Sequence, residues 1–234
     1  MNLSRLFIPL TIFISVMLVG AGCNVLNSDD NGPKEVAVTM QVQTSSVAKF
    51  KAINLDSLTE IKLLVEELEL ESVNDDSADF EVEDLIVNLP LDGSRVELTS
   101  HQIPAGLYDE FEMEIENDDD GTQVDDPDFR DGDDEYSLVI KGIYNGEEFM
   151  FRSDADFEIE MDLNPPLEIS SSTNSAAVAI NIDPAGWFTD NQGNPLDPTN
   201  PANKEIIENN IENSFEAEGE EEEDNDDDDD DDDD

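Results

Sequence analysis

The sequence predicts an all-β protein: an antiparallel β-sandwich with one C-terminal helix and a disordered acidic tail. Three observations lead there. Apolar residues recur at every second position in segment after segment, the period of a half-buried strand. The turn pairs Asp92-Gly93 and Asn145-Gly146 stand between such segments, where tight hairpins need residues that accept positive φ. No internal repeat organises the chain, so eight or nine strands with turn chemistry between them stack most economically as a sandwich.

The first strand is "VAVTMQV", with Val36, Val38, Met40 and Val42 on one face. "TEIKLLVEELELES" fits two periods. Ile61, Leu64, Val65 and Leu68 would line a helix, which its Leu and Glu content slightly favours. Ile61, Leu63 and Val65, then Leu68 and Leu70, would line a strand with a bulge, which its neighbours favour. Strands follow near Phe80–Leu89 and Arg95–Leu98, and another carries Phe111, Met113 and Ile115 after a Pro-Ala-Gly turn and Tyr108. "YSLVIKGIYNGEEFMFRS" reads as a hairpin about Asn145-Gly146. Two more strands alternate through Phe157, Ile159, Met161 and Leu163, and through Val178, Ile180 and Ile182. Ile206, Ile207, Ile211 and Phe215 then recur at roughly helical spacing, and Trp187 and Phe188 are expected to fill the space beneath that helix. An exposed aromatic ligand shelf is the alternative for those two rings.

The chain carries 62 acidic and 10 basic residues, a net charge of -52. Such a surface repels DNA, RNA and acidic lipid head groups, which excludes nucleic-acid binding and makes cations the natural small partners. Residues 216–234 hold 16 acids and no base, ending in nine consecutive aspartates, and read as a disordered polyacidic tail. Without them 46 acids still face 10 bases, so the folded part is acidic in its own right. One cysteine, Cys23, and one histidine, His101, leave no disulfide framework and little basis for a Cys/His zinc site or a histidine-based catalytic dyad or triad. No enzyme is expected, since acids this abundant make any carboxylate pair uninformative.

"MNLSRLFIPLTIFISVMLVGAGC" has one positive charge, Arg5, then an apolar run from Leu6 to Val19. That run is short for a bilayer span and has the order of a secretory signal peptide. The lone thiol falls where the apolar run ends, and "VGAGC" resembles the bacterial lipobox, with Ala21 and Gly22 at its small positions and Gly20 where a Leu is usual. That resemblance implies lipid attachment at Cys23 and a bacterial outer-membrane address, facing the periplasm or the cell surface. Ser28-Asp29-Asp30 fits both an export signal toward the outer face and an ordinary acidic linker. The expected organisation is therefore residues 1–22 as lipoprotein signal peptide, 23–35 as lipidated N-terminus and tether, 36–185 as sandwich, 186–215 as turn region and helix, and 216–234 as tail.

"LTEIKLLVEELEL" and "FEVEDLIVNLPLDGSRVELTSHQIPAGLYDEFEMEIE" resemble bacterial lipoproteins built on domain of unknown function 4382, through the "LPLDG" segment and the "PAG-x-Y" turn into a long alternating strand. The resemblance spans roughly residues 36–164 and implies a transthyretin-like or prealbumin-like sandwich behind a lipoprotein signal. It implies no catalytic residue.

Calcium is the one ligand the motifs suggest. "ENDDDGTQVDDPDFRDGDDE" is dense in carboxylates, with Asp118, Asp120 and Asp126 as candidate ligands. An EF-hand is excluded: with Gly121 at its sixth position Pro127 falls at the twelfth, and with Gly132 there Pro127 falls at the first. An irregular calcium loop and a solvated acidic loop both remain. "DNQGNPLDPTNPAN" offers Asp190, Asn191, Asp197 and Asn200, which turn and helix-cap chemistry also explains. The reading is a lipid-anchored binding or structural protein, its partner a protein, a glycan or divalent cations. The alternatives are a passive acidic envelope protein without a specific ligand and a carbohydrate-binding module.

Overall fold

The computed structural model describes residues 32–43, 55–74, 85–116 and 126–223. These form thirteen strands and one α-helix, so the all-β sandwich expectation holds.

Strand β1 (Lys34–Val42) turns Val36, Val38, Met40 and Val42 inward, as the alternation requires. Its sheet also contains β5 (Val96–Ile103), β12 (Thr173–Ile182) and β13 (Phe215–Glu223), in the order β13-β12-β1-β5. The pair β1–β12 is parallel, with Val36 opposite Ala176 and Val42 opposite Ile182. This is a departure from an antiparallel plan. A parallel pair needs a long crossover, and here most of the domain is that crossover.

A second sheet has the order β10-β9-β2-β4, from β2 (Leu55–Val65), β4 (Leu85–Asn88), β9 (Leu138–Tyr144) and β10 (Glu147–Ser153). A third has the order β11-β6-β3, from β3 (Glu67–Ser72), β6 (Gly106–Ile115) and β11 (Phe157–Ile169). Two-residue strands β7 (Arg130–Asp131) and β8 (Asp134–Glu135) make a small ribbon outside them.

The ambiguous segment is strand throughout, not helix. Ile61, Leu63 and Val65 are buried in β2, and Leu68 and Leu70 in β3. The inward parity changes at Glu66, where one continuous stretch leaves the second sheet and enters the third. Glu66 N–H donates to the Glu114 carbonyl at 2.9 Å, so the corner is pinned to β6. A strand that switches sheets is how a sandwich turns a corner. Inward side chains of all three sheets meet in one core, including Val38, Val178, Ile140, Phe151, Phe111 and Met161.

Local chemistry fixes the turns. Asn145 (φ 53°) and Gly146 (φ 80°) give the two positive-φ residues of a type I′ turn between β9 and β10. In the "PAG-x-Y" segment the buried Tyr108 hydroxyl donates to the Pro104 carbonyl at 3.0 Å, which locks the entry into β6. Gly142 in β9 has no room for a side chain: a Cβ there would lie 2.5 Å from Ser57 O and 2.7 Å from Phe149 Cε1.

The helix, α1 (Lys204–Glu212), is shorter than its apolar spacing suggests. Ile207 and Ile211 are buried, but Ile206 is 41% exposed and Phe215 lies beyond the helix. Trp187 and Phe188 are fully buried, as expected for core residues, and form no ligand shelf. Trp187 Nε1 donates to Ser214 Oγ at 2.8 Å, and Phe188 meets Phe149 and Phe151 edge-on. Lys204 pairs with Asp154, and Ser153 bonds Glu208, tying α1 to the end of β10.

The expected tail at 216–234 needs correction. Residues 216–223 continue β13, paired with β12 from Ile182–Phe215 to Thr173–Glu223. Charge alone suggested disorder, but the open edge of β12 supplies backbone partners. Phe215 packs inward, Gly219 lets the strand approach Leu167, and Arg95 holds Glu220 in a bidentate pair at 2.6 and 2.7 Å. Residues 224–234 lie outside the described residues.

Candidate functional site

Alternation puts Glu67, Glu69 and Glu71 of β3, Glu110, Glu112 and Glu114 of β6, and Glu158, Glu160 and Asp162 of β11 on the outer face of the third sheet. Register then aligns them. Glu67, Glu114 and Glu158 form one cross-strand row, Glu69, Glu112 and Glu160 a second, and Glu71, Glu110 and Asp162 a third. Nine carboxylates thus occupy a three-by-three array with spacings of about 4.8 Å between strands and about 6.8 Å along them.

Oxygens of Glu69, Glu71 and Glu112 come within 4.8 Å of one another, and so do those of Glu66, Glu114 and Glu116 at the corner. A cleft of about 40 Å³ opens between Glu67, Glu69, Glu112 and Glu114. Like charges directly opposite each other cost stability, and here they stack on both sides of the central strand. Partial burial raises the pKa values of Glu110, Glu112 and Glu114, and the flanking carboxylates add to that shift. All-oxygen chemistry at this charge density suits a hard divalent cation such as calcium and does not suit a soft metal.

The contiguous acidic loop behaves differently where it is described. Asp126 caps a 3-10 turn at Pro127–Phe129 by accepting from Asp128 N–H, Asp128 lies within that turn, and both reach lysines on the outer face of the second sheet. Lys62 Nζ lies 2.8 Å from Asp126, 2.6 Å from Asp128 and 3.5 Å from Glu60. Lys141 Nζ lies 2.6 Å from both Asp128 and Glu60. Burial pulls the Lys62 ammonium down, but the aspartate hydrogen bonds and the Glu60 charge outweigh it and hold it well above its ordinary value. The hydrogen bond from Lys62 lowers the Asp126 carboxyl, and those from Lys141 and Lys62 lower Asp128. Phe129 fills a small apolar site between Leu64 and Val139. Asp126 is therefore a lysine partner holding a strap against the sheet. Asp118 and Asp120 lie outside the described residues, as do Cys23 and Ser28-Asp29-Asp30.

The second candidate segment folds as turns and caps. Asp190 accepts from the backbone of Gln192 and Asn194, and from the Asn194 side chain. Asp197 accepts from Thr199 N–H and Oγ1, and Asn200 caps Ala202. Asn191 lies on the rim of a polar cleft of about 420 Å³ with Asp183, Asn213 and Glu216. His101 sits exposed on β5. Among the described residues no helix is long and apolar enough to cross a membrane.

The sheet array escaped the sequence reading, although its signal was present. "ELELES", "DEFEMEIE" and "DFEIEMDL" each alternate acid with apolar residue. Only pairing shows that the three acid faces coincide. Comparison of the chain with family models, with curated proteins and with solved structures returns no match.

Proposed function

We propose that the protein is a bacterial lipoprotein, anchored through Cys23 in the outer membrane, facing the periplasm or the cell surface, whose sandwich is a binding or structural module rather than an enzyme. Its ligands in this reading are divalent cations, calcium first, gathered on the outer face of the β3-β6-β11 sheet. The in-register array of nine carboxylates carries the proposal. The lipobox-like "VGAGC" and the motif resemblance to lipoproteins of domain of unknown function 4382 support the address. A glycan-binding role loses its aromatic platform because Trp187 is buried.

The test is calorimetric titration of calcium into residues 24–223, which retain every described strand, with magnesium and added salt as controls. Saturable binding that prefers calcium and is lost in a Glu69→Gln/Glu112→Gln double variant supports the reading. Weak heats that vanish with salt overturn it in favour of a passive acidic protein. The anchor is tested separately: a Cys23→Ala chain that still matures in size and still sediments with membranes would sink it.

A further inference from the structure

The strap roofs only one stretch of the second sheet's outer face. There Phe129 covers Leu64 and Val139, and Asp126 and Asp128 take Lys62 and Lys141. Alternation also sends Ile143 of β9 and Glu148 and Met150 of β10 outward, with Lys141 opposite Met150 and Ile143 opposite Glu148. Met150 is 42% exposed, so this stretch stays open. On the other side of β9, strand β2 is bulged. Leu58 pairs with Gly142 and Glu60 with Lys141, which leaves Thr59 as an extra residue. A cleft of about 390 Å³ lies where these strands meet, lined by Ile143, Glu148, Phe149 and Met150 together with Thr59 and Lys141.

The two charges of the cleft are not equivalent. Lys141 Nζ lies 2.6 Å from both Glu60 and Asp128, so its charge is neutralised within the fold. Glu148 is exposed and makes no ion pair among the described residues. Beside it stand the apolar groups of Ile143, Phe149 and Met150. A thioether is soft and adapts to varied apolar shapes. The volume falls within the range of roughly 300–1,000 Å³ that holds small molecules. The chain's net charge of -52 repels anions from such a cleft and concentrates cations near it.

We propose that this cleft binds a small amphipathic cation, a primary ammonium on an aliphatic chain. The ammonium pairs with Glu148, and the chain lies against Ile143, Phe149 and Met150. The site is on a different sheet from the carboxylate array, and it selects for apolar contact that a bare metal ion does not offer. The two sites therefore stand or fall separately.

The probe is hexylammonium, with hexanol and hexanoate as the same chain uncharged and reversed in charge. Methionine methyl NMR on the full chain reads the cleft directly, because Met150 is exposed whereas Met40 and Met113 are fully buried. Met150→Leu assigns the signal. The expected result is a Met150 shift that saturates with hexylammonium, binds hexanoate most weakly, and leaves Met40 and Met113 still. Glu148→Gln changes an exposed position and should weaken hexylammonium about fivefold, the upper value of an exposed ion pair, with hexanol unaffected. A Met150 shift that never saturates would overturn the proposal. So would equal hexylammonium affinity in parent and Glu148→Gln chains, or hexanoate binding as tightly as hexylammonium. Shifts of equal size at Met40 and Met113 would overturn it too, since the whole fold rather than the cleft would be responding.

Discussion

Glu112 stands directly opposite Glu160 across the β6–β11 ladder, and on its other side it faces Glu69. Two like-charged neighbours on one central strand are a standing cost of this fold. Glu112→Gln is expected to stabilise the protein by about 0.5–1 kcal/mol in dilute buffer, and by less as salt rises. Urea midpoints at low and high ionic strength measure this; a variant no more stable than the parent at low salt refutes it.

The same face sets the pH response. Glu110, Glu112 and Glu114 have folded pKa values raised above the ordinary 4.5, chiefly by burial. Between that value and the raised ones the folded chain binds more protons than the unfolded chain, so stability falls as pH rises. Asp126, Asp128 and Asp154 are lowered from 3.8 by lysine hydrogen bonds, and their contribution is lost as pH falls through the lowered values. Melting temperature should therefore peak at mildly acidic pH. A monotonic rise from pH 4 to about pH 8 would contradict the assignment.

Lys62 joins the strap to the sheet. Lys62→Met removes the ammonium that Asp126 and Asp128 share and leaves Asp126 beside Asp128 without that cation, while Asp128 keeps Lys141. A loss of about 1–2 kcal/mol is expected, with early proteolytic cleavage near residues 126–137. Lys141→Met should cost less, because Asp128 keeps Lys62. Equal proteolysis of parent and Lys62→Met chains would show that the strap is held by Phe129 alone.

Gly142→Ala places a methyl group against Ser57 O and the Phe149 ring, and backbone cannot yield as a flexible side chain can. About 2–3 kcal/mol of destabilisation is expected. A chemical-denaturation midpoint within error of the parent would mean that β2 and β9 have slack at this point.

Tyr108→Phe deletes one hydroxyl at a fully buried position and leaves the Pro104 carbonyl without that donor. The expected cost is about 1–1.5 kcal/mol with little change in the denaturant slope. An unaltered melting temperature would mean another donor replaces it.

Legibility followed the range of the interactions. Strand β1, the Asn145-Gly146 hairpin and the buried Trp187 were readable because their signals sit within a few residues. The β2–β3 stretch was ambiguous because a parity change at Glu66 imitates helical spacing, and only the neighbouring β6 decides it. Strand β13 from residue 216 onward reads as tail in the sequence, since seven of its nine residues are acidic or glycine; the edge of β12 and Arg95 override that propensity. For the site, Asp118, Asp120 and Asp126 stand out in the sequence because they crowd together along the chain. The nine carboxylates of the sheet come from three distant segments, and their coincidence is a fact of register.

Gln41 on β1 donates to Asn181 on β12 at 2.6 Å across a separation of 140 residues. The interior of the first sheet therefore cannot close until nearly the whole domain has been synthesised. Before that, Val36, Val38, Met40 and Val42 have no lasting partner on the β12 side. Such contact order makes folding slow and leaves an apolar strand open in the meantime. Up to residue 172 the chain already carries 40 acids against 9 bases, and that excess is then a kinetic asset, since it keeps unfinished chains apart while that strand waits.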